Sequence, residues 1–321
     1  MSTRIVSTGS YIPEVKVSNA DLESIMDTND EWIRKRTGIE SRRYEDISTA
    51  RMATEAAKDA CSTVDVETLD CIVVATYTPD SFIPTVANQV KANLGITRPI
   101  PSFDLNAACS GFIYAYQVAH AYIVSGIYKK VLVIGVDFNS RYMNFEDRST
   151  SILFGDGAGA LVLETSDKGT IDTIIGGEDD INESITMKNS TDYSNPFVER
   201  DTKKESYFEM KGSDVFKYAV RIMDKTIKDL LVKNNLETND IDYVISHQAN
   251  QRILDSGARS LKIDTKRMLS NVSKYGNTSS ASVPILLDEA NKKGLLQSGM
   301  KVILVAFGGG LTYGAVLLEW I

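Results

Sequence analysis

The stretch "FDLNAACSGFIYAYQ" sets Cys109 between a short strand signal and a long apolar segment with helical spacing. Ser110 and Gly111 keep the first turn of that helix open to close approach. Unpaired N–H groups and the positive end of the helix dipole favour an anion there, so the thiol pKa is expected to fall and a nucleophilic thiolate to form. A free cysteine is equally at home as a small buried apolar side chain, and residue type alone leaves both readings open. Cys61, in a helical stretch, and Cys71, inside an apolar strand, read as structural. His247 follows directly on "IDYVIS", at the C-terminal strand edge where parallel sheets collect catalytic groups. His120 lies eleven residues beyond Cys109 on the same helix, about 16 Å along the axis, and reads as a helix-face residue. In "SKYGNTSSASVP", Gly276 and Asn277 form a turn, and the Thr-Ser-Ser run is expected to cap a helix beginning near Ala281. The glycines of "AFGGGLTYG" lack the spacing of a nucleotide cradle; their backbone N–H groups better suit an oxyanion hole for a thioester carbonyl. "FGDGAGALVLE" reads as a tight bend between strands.

The elements that position these residues alternate. "LDCIVVATY" (69–77) and "KVLVIGVD" (130–137) are too apolar on both faces for a solvated hairpin. "TVANQVKANLG" and the segment closed by Gly126 have helical spacing, so the order is βαβα and the sheet largely parallel. "LDCIVVATYTPD" is echoed 172 positions later by "IDYVISHQANQR", "KVLVIG" 171 later by "KVILVAF", and "AGALVLE" 155 later by "YGAVLLE". Three echoes in one order predict two similar halves, 1–168 with the cysteine and 169–321 with the histidine and asparagine. Two halves meeting face to face would bring the Cys109 and Asn277 helix mouths together. The polar, aperiodic segment 178–206 is expected to be a surface excursion over a site or a neighbouring subunit.

Composition limits the function. The 321 residues, 43% hydrophobic and 24% charged, suit an ordinary soluble globular protein. No apolar run approaches the roughly 18 residues of a membrane span, and "MSTRIVSTGSYIP" has no signal-peptide core, so the cytosol is the expected location. A net charge of −8 disfavours general nucleic-acid binding. Three cysteines without CxxC suggest neither a disulfide scaffold nor a structural zinc site.

Six motifs in order and spacing, "TNDEWIRKRTGI", "DLNAACSGF", "DRSTSILFGDGAGA", "HQANQRI", "YGNTSSASVP" and "AFGGGLTYG", resemble the thiolase superfamily, most closely the beta-ketoacyl-acyl carrier protein synthase III family. The resemblance covers nearly the whole chain. It implies an α/β, thiolase-like fold of two similar halves in α-β-α-β-α layers. It also implies a homodimer that condenses an acyl-CoA primer with malonyl-acyl carrier protein to initiate fatty acid synthesis, with no metal and no cofactor, acyl-CoA being a substrate. Cys109 then matches the acylated nucleophile, and His247 with Asn277 the pair that holds the malonyl thioester carbonyl and its enolate. Gly309 matches an oxyanion donor, Phe307 an orienting contact for His247 and Asn277, and Asn250 a support for the pantetheine or His247. Trp32 and Arg148 match an adenine sandwich, with Arg36 near the phosphates. Ile83 matches the residue that crosses the dimer interface to close the partner's acyl pocket. Its size, against the phenylalanine often found there, implies room for a longer or branched primer.

An acidic carrier protein needs a positive docking face. Lys217, Arg221, Lys225 and Lys228 recur at helical intervals, Arg252 and Arg259 extend the stripe, and Ser260 stands where relatives can have a lysine. A solvated helix face is the competing reading. The competing functions are a secondary-metabolism condensing or acyl-transfer enzyme with a nonstandard starter or acceptor, and a noncatalytic binding homologue.

Overall fold

Strands that are apolar on both faces form the interior of two five-stranded sheets. The first has the order β1 (Ser2–Tyr11), β7 (Gly157–Ser166), β6 (Lys130–Asp137), β4 (Cys71–Ala75), β5 (Ser102–Leu105). The second has the order β8 (Thr170–Gly177), β14 (Thr312–Glu319), β13 (Lys301–Gly308), β11 (Tyr243–Ser246), β12 (Met268–Leu269). Taken in these orders, both sheets run two antiparallel pairings followed by two parallel ones, with Val74 opposite Ile134 in one and Val244 opposite Ile303 in the other. These relations come from a computed structural model, which describes residues 1–188 and 207–321.

Helices α5 (Gly111–Val124) and α10 (Ser282–Lys292) lie between the sheets, where Phe112, Ile113 and Tyr116 of one and Leu286 and Leu287 of the other share a core with both sets of strands. A helix buried on both sides cannot be amphipathic, which is why α5 is apolar around most of its circumference. Truncating Phe112 to Ala there would cost about 3–5 kcal/mol. Helices α3 (Thr49–Ala60) and α4 (Val86–Asn93) cover the outer face of the first sheet, α7 (Gly212–Lys233) and α8 (Gln251–Leu261) that of the second. The result is an α-β-α-β-α layered α/β fold.

The remaining elements gather at one end: α1 (Asn19–Glu23), α2 (Asp30–Thr37), α6 (Arg148–Ser151), α9 (Val272–Tyr275), the ribbon β2 (Val15–Ser18) with β3 (Ser41–Tyr44), and the ribbon β9 (Ile185–Met187) with β10 (Phe208–Met210). Three expectations change here. The sheets are mixed rather than largely parallel, because β7 and β14 each run antiparallel to both of their neighbours. Most of "FGDGAGALVLE" is strand β7 rather than a bend. Part of the segment expected as a surface excursion is β9, whose Ile185 and Met187 pack in an apolar cluster with Phe154 and Phe208. Residues 189–206 of that excursion lie outside the described residues.

Candidate active site

Cys109 sits in a single turn of tight helix, Ala108–Ser110, immediately ahead of α5. His247 leaves the end of β11 with its backbone N–H donated to Val305 O at 2.8 Å. Asn277 precedes the turn Ser279–Ala281 that leads into α10, and its backbone is pinned by the first half of the chain: its N–H donates to Leu153 O and its carbonyl accepts from Gly155 N. The three side chains, 8%, 2% and 6% exposed, line one hollow of about 80 Å³ together with Phe307 and Gly308. A Cβ on Gly308 would lie 2.8 Å from the Cys109 backbone nitrogen, so only glycine lets the two segments meet.

Burial pulls the His247 imidazole down to about 3, so the ring is neutral near pH 7. Ser282 Oγ accepts the Gln248 N–H at 3.3 Å and lies 2.7 Å from His247 Nδ1. That contact anchors the ring through Nδ1; where the hydroxyl is the donor, the ring proton lies on Nε2. Phe307 meets the imidazole edge-to-face, with centroids 5.4 Å apart. Asn277 Oδ1 accepts the Ser279 N–H at 2.8 Å, leaving the amide NH₂ as the group available to a ligand. Asn250 does not steady His247: its Oδ1 caps α8 through Arg252 N, and its Nδ2 donates to Arg36 O. Ser282, a residue no motif singled out, takes that part.

Cys109 departs from expectation. Burial pushes its thiol up to about 12, opposed by the Ser279 hydroxyl and its own backbone N–H, with Asp137 adding repulsion. The helix mouth is there, but desolvation in a narrow apolar hollow outweighs it in the resting chain. The Thr-Ser-Ser run also differs: α10 begins at Ser282 without a side-chain cap. Ser279 Oγ reaches Cys109 Sγ at 3.3 Å, and Ser280 Oγ bonds Asp137 and Ala75 O.

Two further spaces adjoin the hollow. A recess of about 330 Å³ shares Cys109 with it and is walled by Tyr77, Ile185, Met187, Phe208 and Gly309. An open cleft of about 570 Å³ shares Asn250 with it and carries Trp32, Arg36, Arg148, Lys217 and Arg252. In that cleft Arg148 lies 5.0 Å and Arg36 4.9 Å from the Trp32 ring centroid. An intervening ring needs two van der Waals contacts of about 3.5 Å each, so the expected sandwich is closed in this state. Arg148 is held there by the Asp27 backbone carbonyl and carboxylate.

The comparisons with known proteins agree on one family. Residues 103–178 match the family model described as 3-oxoacyl-[acyl-carrier-protein (ACP)] synthase III, and residues 231–320 its C-terminal model. A beta-ketoacyl-[acyl-carrier-protein] synthase III of Clostridium tetani is 45% identical, covering 99% of this chain and 98% of that protein. The crystal structure of 3-oxoacyl-[acyl-carrier-protein] synthase III from Aquifex aeolicus superposes with a TM-score of 0.92 at 42% identity, covering 99% of this chain and 100% of that one. The priming beta-ketosynthase of the R1128 polyketide pathway is 32% identical with a TM-score of 0.90, covering 99% of this chain and 96% of that one. The chain belongs to the beta-ketoacyl-[acyl-carrier-protein] synthase III family. It is an acyl-transferring condensing enzyme.

On the outer face of this synthase III member the basic stripe is unequal. Arg221 is held by Glu178 at 2.5 Å, Lys225 by Asp229 at 2.6 Å and Lys228 by Asp224 at 2.8 Å, so these three heads are largely neutralised. Lys217 reaches Asp214 only at 4.0 Å, and Arg252 and Arg259 have no carboxylate within that distance among the described residues. Arg252 lies over the Phe216 ring beside the cleft. Ile83 is 90% exposed and the adjoining Phe82 74%, a protruding apolar pair. Ile185 lies in the 178–206 segment that was expected over a site, whereas Phe208 and Met210 were missed as site residues; the period-two alternation of "YFEM" was the available signal.

Proposed function

We propose that this synthase condenses an acyl-CoA primer with malonyl-acyl carrier protein, giving 3-ketoacyl-acyl carrier protein and carbon dioxide, the initiating step of fatty acid synthesis. The observation that carries the assignment of residues is the shared hollow of Cys109, His247 and Asn277. The Cys109 sulfur attacks the primer carbonyl, the carbon–sulfur bond to coenzyme A breaks, and the thiol proton ends on the departing coenzyme A sulfur. The backbone N–H groups of Cys109 and Gly309 hold the oxyanion. Malonyl thioester then enters the hollow, and His247 Nε2–H and the Asn277 amide donate to its carbonyl oxygen. Two neutral donors stabilise an enolate without giving it a proton, which is what a carbon nucleophile requires. Carbon dioxide leaves, the enolate attacks the acyl-cysteine, and the cysteine sulfur departs.

In this reading Trp32, Arg36 and Arg148 bind the nucleotide once Arg148 swings off the indole, and Asn250 faces the pantetheine. The recess beyond Cys109 takes the primer's acyl chain. Lys217, Arg252 and Arg259 present the positive face to the carrier protein, with Arg221 contributing less because Glu178 holds it. The synthase works as a cytoplasmic homodimer in which Ile83 enters the partner's acyl recess, and its two units are 1–168 and 169–321. The exposure of Phe82 and Ile83 supports the dimer. The junction between β7 and β8 supports the boundary. Acyl-CoA is a substrate and no further cofactor takes part.

Intact-mass analysis after incubation with acetyl-, isobutyryl- and longer acyl-CoA tests the loading step, one acyl mass at Cys109 being expected. Labelled carbon dioxide from malonyl-acyl carrier protein tests the condensation. Loading without carbon dioxide release would reject condensation in favour of simple acyl transfer, the alternative assignment.

A further inference from the structure

Among the described residues Cys109 has no cationic neighbour to hold its thiolate. The titratable groups there that face the sulfur are His247, Tyr77 and Asp137; the first is neutral, the phenol is held protonated by burial, and the carboxyl repels a second anion. One side chain among the described residues donates to it. Ser279, fully buried, directs Oγ to Cys109 Sγ at 3.3 Å across 170 positions of sequence.

The surroundings hold that hydroxyl in place. Ser279 has φ 52°, a left-handed conformation that a side chain adopts only when its neighbours impose it. The next residue imposes it: Ser280 N and Oγ both donate to Asp137 Oδ2, at 3.0 and 2.7 Å. Asp137 Oδ1 is in turn filled by Thr76, Tyr77 N and Thr78. A Cβ on Gly135 would come within 2.4 Å of Ser280 O, so glycine there lets β6 seat the turn. The same Ser279 orients Asn277 through its backbone N–H.

We infer that Ser279 is a further catalytic residue, whose hydroxyl donates to the Cys109 sulfur whenever that sulfur carries negative charge, with Asp137 and Ser280 as its positioning residues. The inference rests on Cys109 being the nucleophile. The sulfur is anionic twice in a cycle. Before acylation its proton has left, to be returned on the coenzyme A sulfur; after condensation the carbon–sulfur bond to the acyl group breaks and the electron pair stays on Cys109. A thioester sulfur is a poor acceptor, so the bond strengthens at these two moments and weakens between them.

The test removes the hydroxyl and keeps the backbone. Ser279→Gly accepts the left-handed conformation and Ser279→Ala retains a Cβ; both keep the N–H that orients Asn277. The readouts, at a fixed pH of about 8, are the rate at which iodoacetamide alkylates Cys109, which follows the thiolate fraction, and the rate of acyl loading from acetyl-CoA, both by intact mass. A hydrogen bond to a charged group is worth a factor of about ten or more, so in either folded variant alkylation and loading should both slow about tenfold. Unchanged alkylation in a folded Ser279→Gly or Ser279→Ala protein overturns the inference, even if loading slows, because slowing of loading alone is what a packing role produces. Loading by the unsubstituted enzyme at a residue other than Cys109 would instead overturn the nucleophile assignment.

Discussion

Cys109, His247 and Asn277 are each less than a tenth exposed, with His247's backbone bonded to β13 and Asn277's to Leu153 and Gly155, whereas Trp32, Arg36 and Arg148 form an open rim on two short helices. The inner site is assembled without ligand: the imidazole's anchor at Nδ1, the amide orientation and the glycine contact are already set. In the outer cleft the gap between Arg148 and Trp32 is closed, with Arg148 lying on the indole it is expected to part from. Enclosure explains the contrast. A buried polar group must find its partner within the protein, while an exposed guanidinium trades one weak contact for another at little cost. On the proposed function, chemistry belongs to the preorganised hollow and nucleotide capture to a rim that must open.

The largest expected effect strikes the hollow. Cys109→Ala should eliminate the acyl adduct altogether in the intact-mass assay. His247→Ala or Asn277→Ala should slow release of labelled carbon dioxide by about a hundredfold or more, the usual loss for one oxyanion donor. Acyl loading should fall far less in both, since loading uses neither donor; equal losses in the two half-reactions would erase the division of labour. In the outer cleft, Trp32→Ala should raise the KM for acetyl-CoA about tenfold with kcat nearly unchanged, the signature of lost stacking on a base. A kcat loss of that size would show that the cleft is part of the preorganised site.

Smaller effects sharpen the same contrast. Lys217→Glu should raise the KM for malonyl-acyl carrier protein a fewfold in low salt, whereas Lys228→Glu, whose partner is Asp224, should change it less. Equal responses would mean that pairing does not decide which charges dock. The smallest expected effect is none. With His247 drawn down to about 3, its ring is neutral above roughly pH 4, so lowering the pH from 8 to 5 should reveal no loss of malonyl decarboxylation from imidazolium formation. An acid limb near pH 6.5 that disappears in His247→Gln would contradict the buried neutral ring.

Much of this site was legible before any coordinates. The αβ alternation, the paired strand echoes and the candidates Cys109, His247 and Asn277 follow from local patterns, because strands apolar on both faces and glycine-rich turns announce themselves within a few residues; Phe307 came only with the family resemblance. The β9–β10 ribbon was harder: two three-residue strands sit in polar sequence and acquire their role only by pairing with each other. The basic stripe was visible as spacing, and so were the carboxylates four residues from Lys225 and Lys228 on the same helix; Glu178, which holds Arg221, is brought there only by the fold.

Taken alone, the order of residues pointed to the layered fold and to one candidate nucleophile with two candidate donors. Tertiary structure alone decided the sulfur's environment: desolvation raises its pKa, and the one hydroxyl that opposes this arrives from the far half of the chain. Helix ends, turns and strand faces are set by neighbours in sequence, whereas burial and electrostatics are set by whatever lies across a cavity, and no local pattern records that.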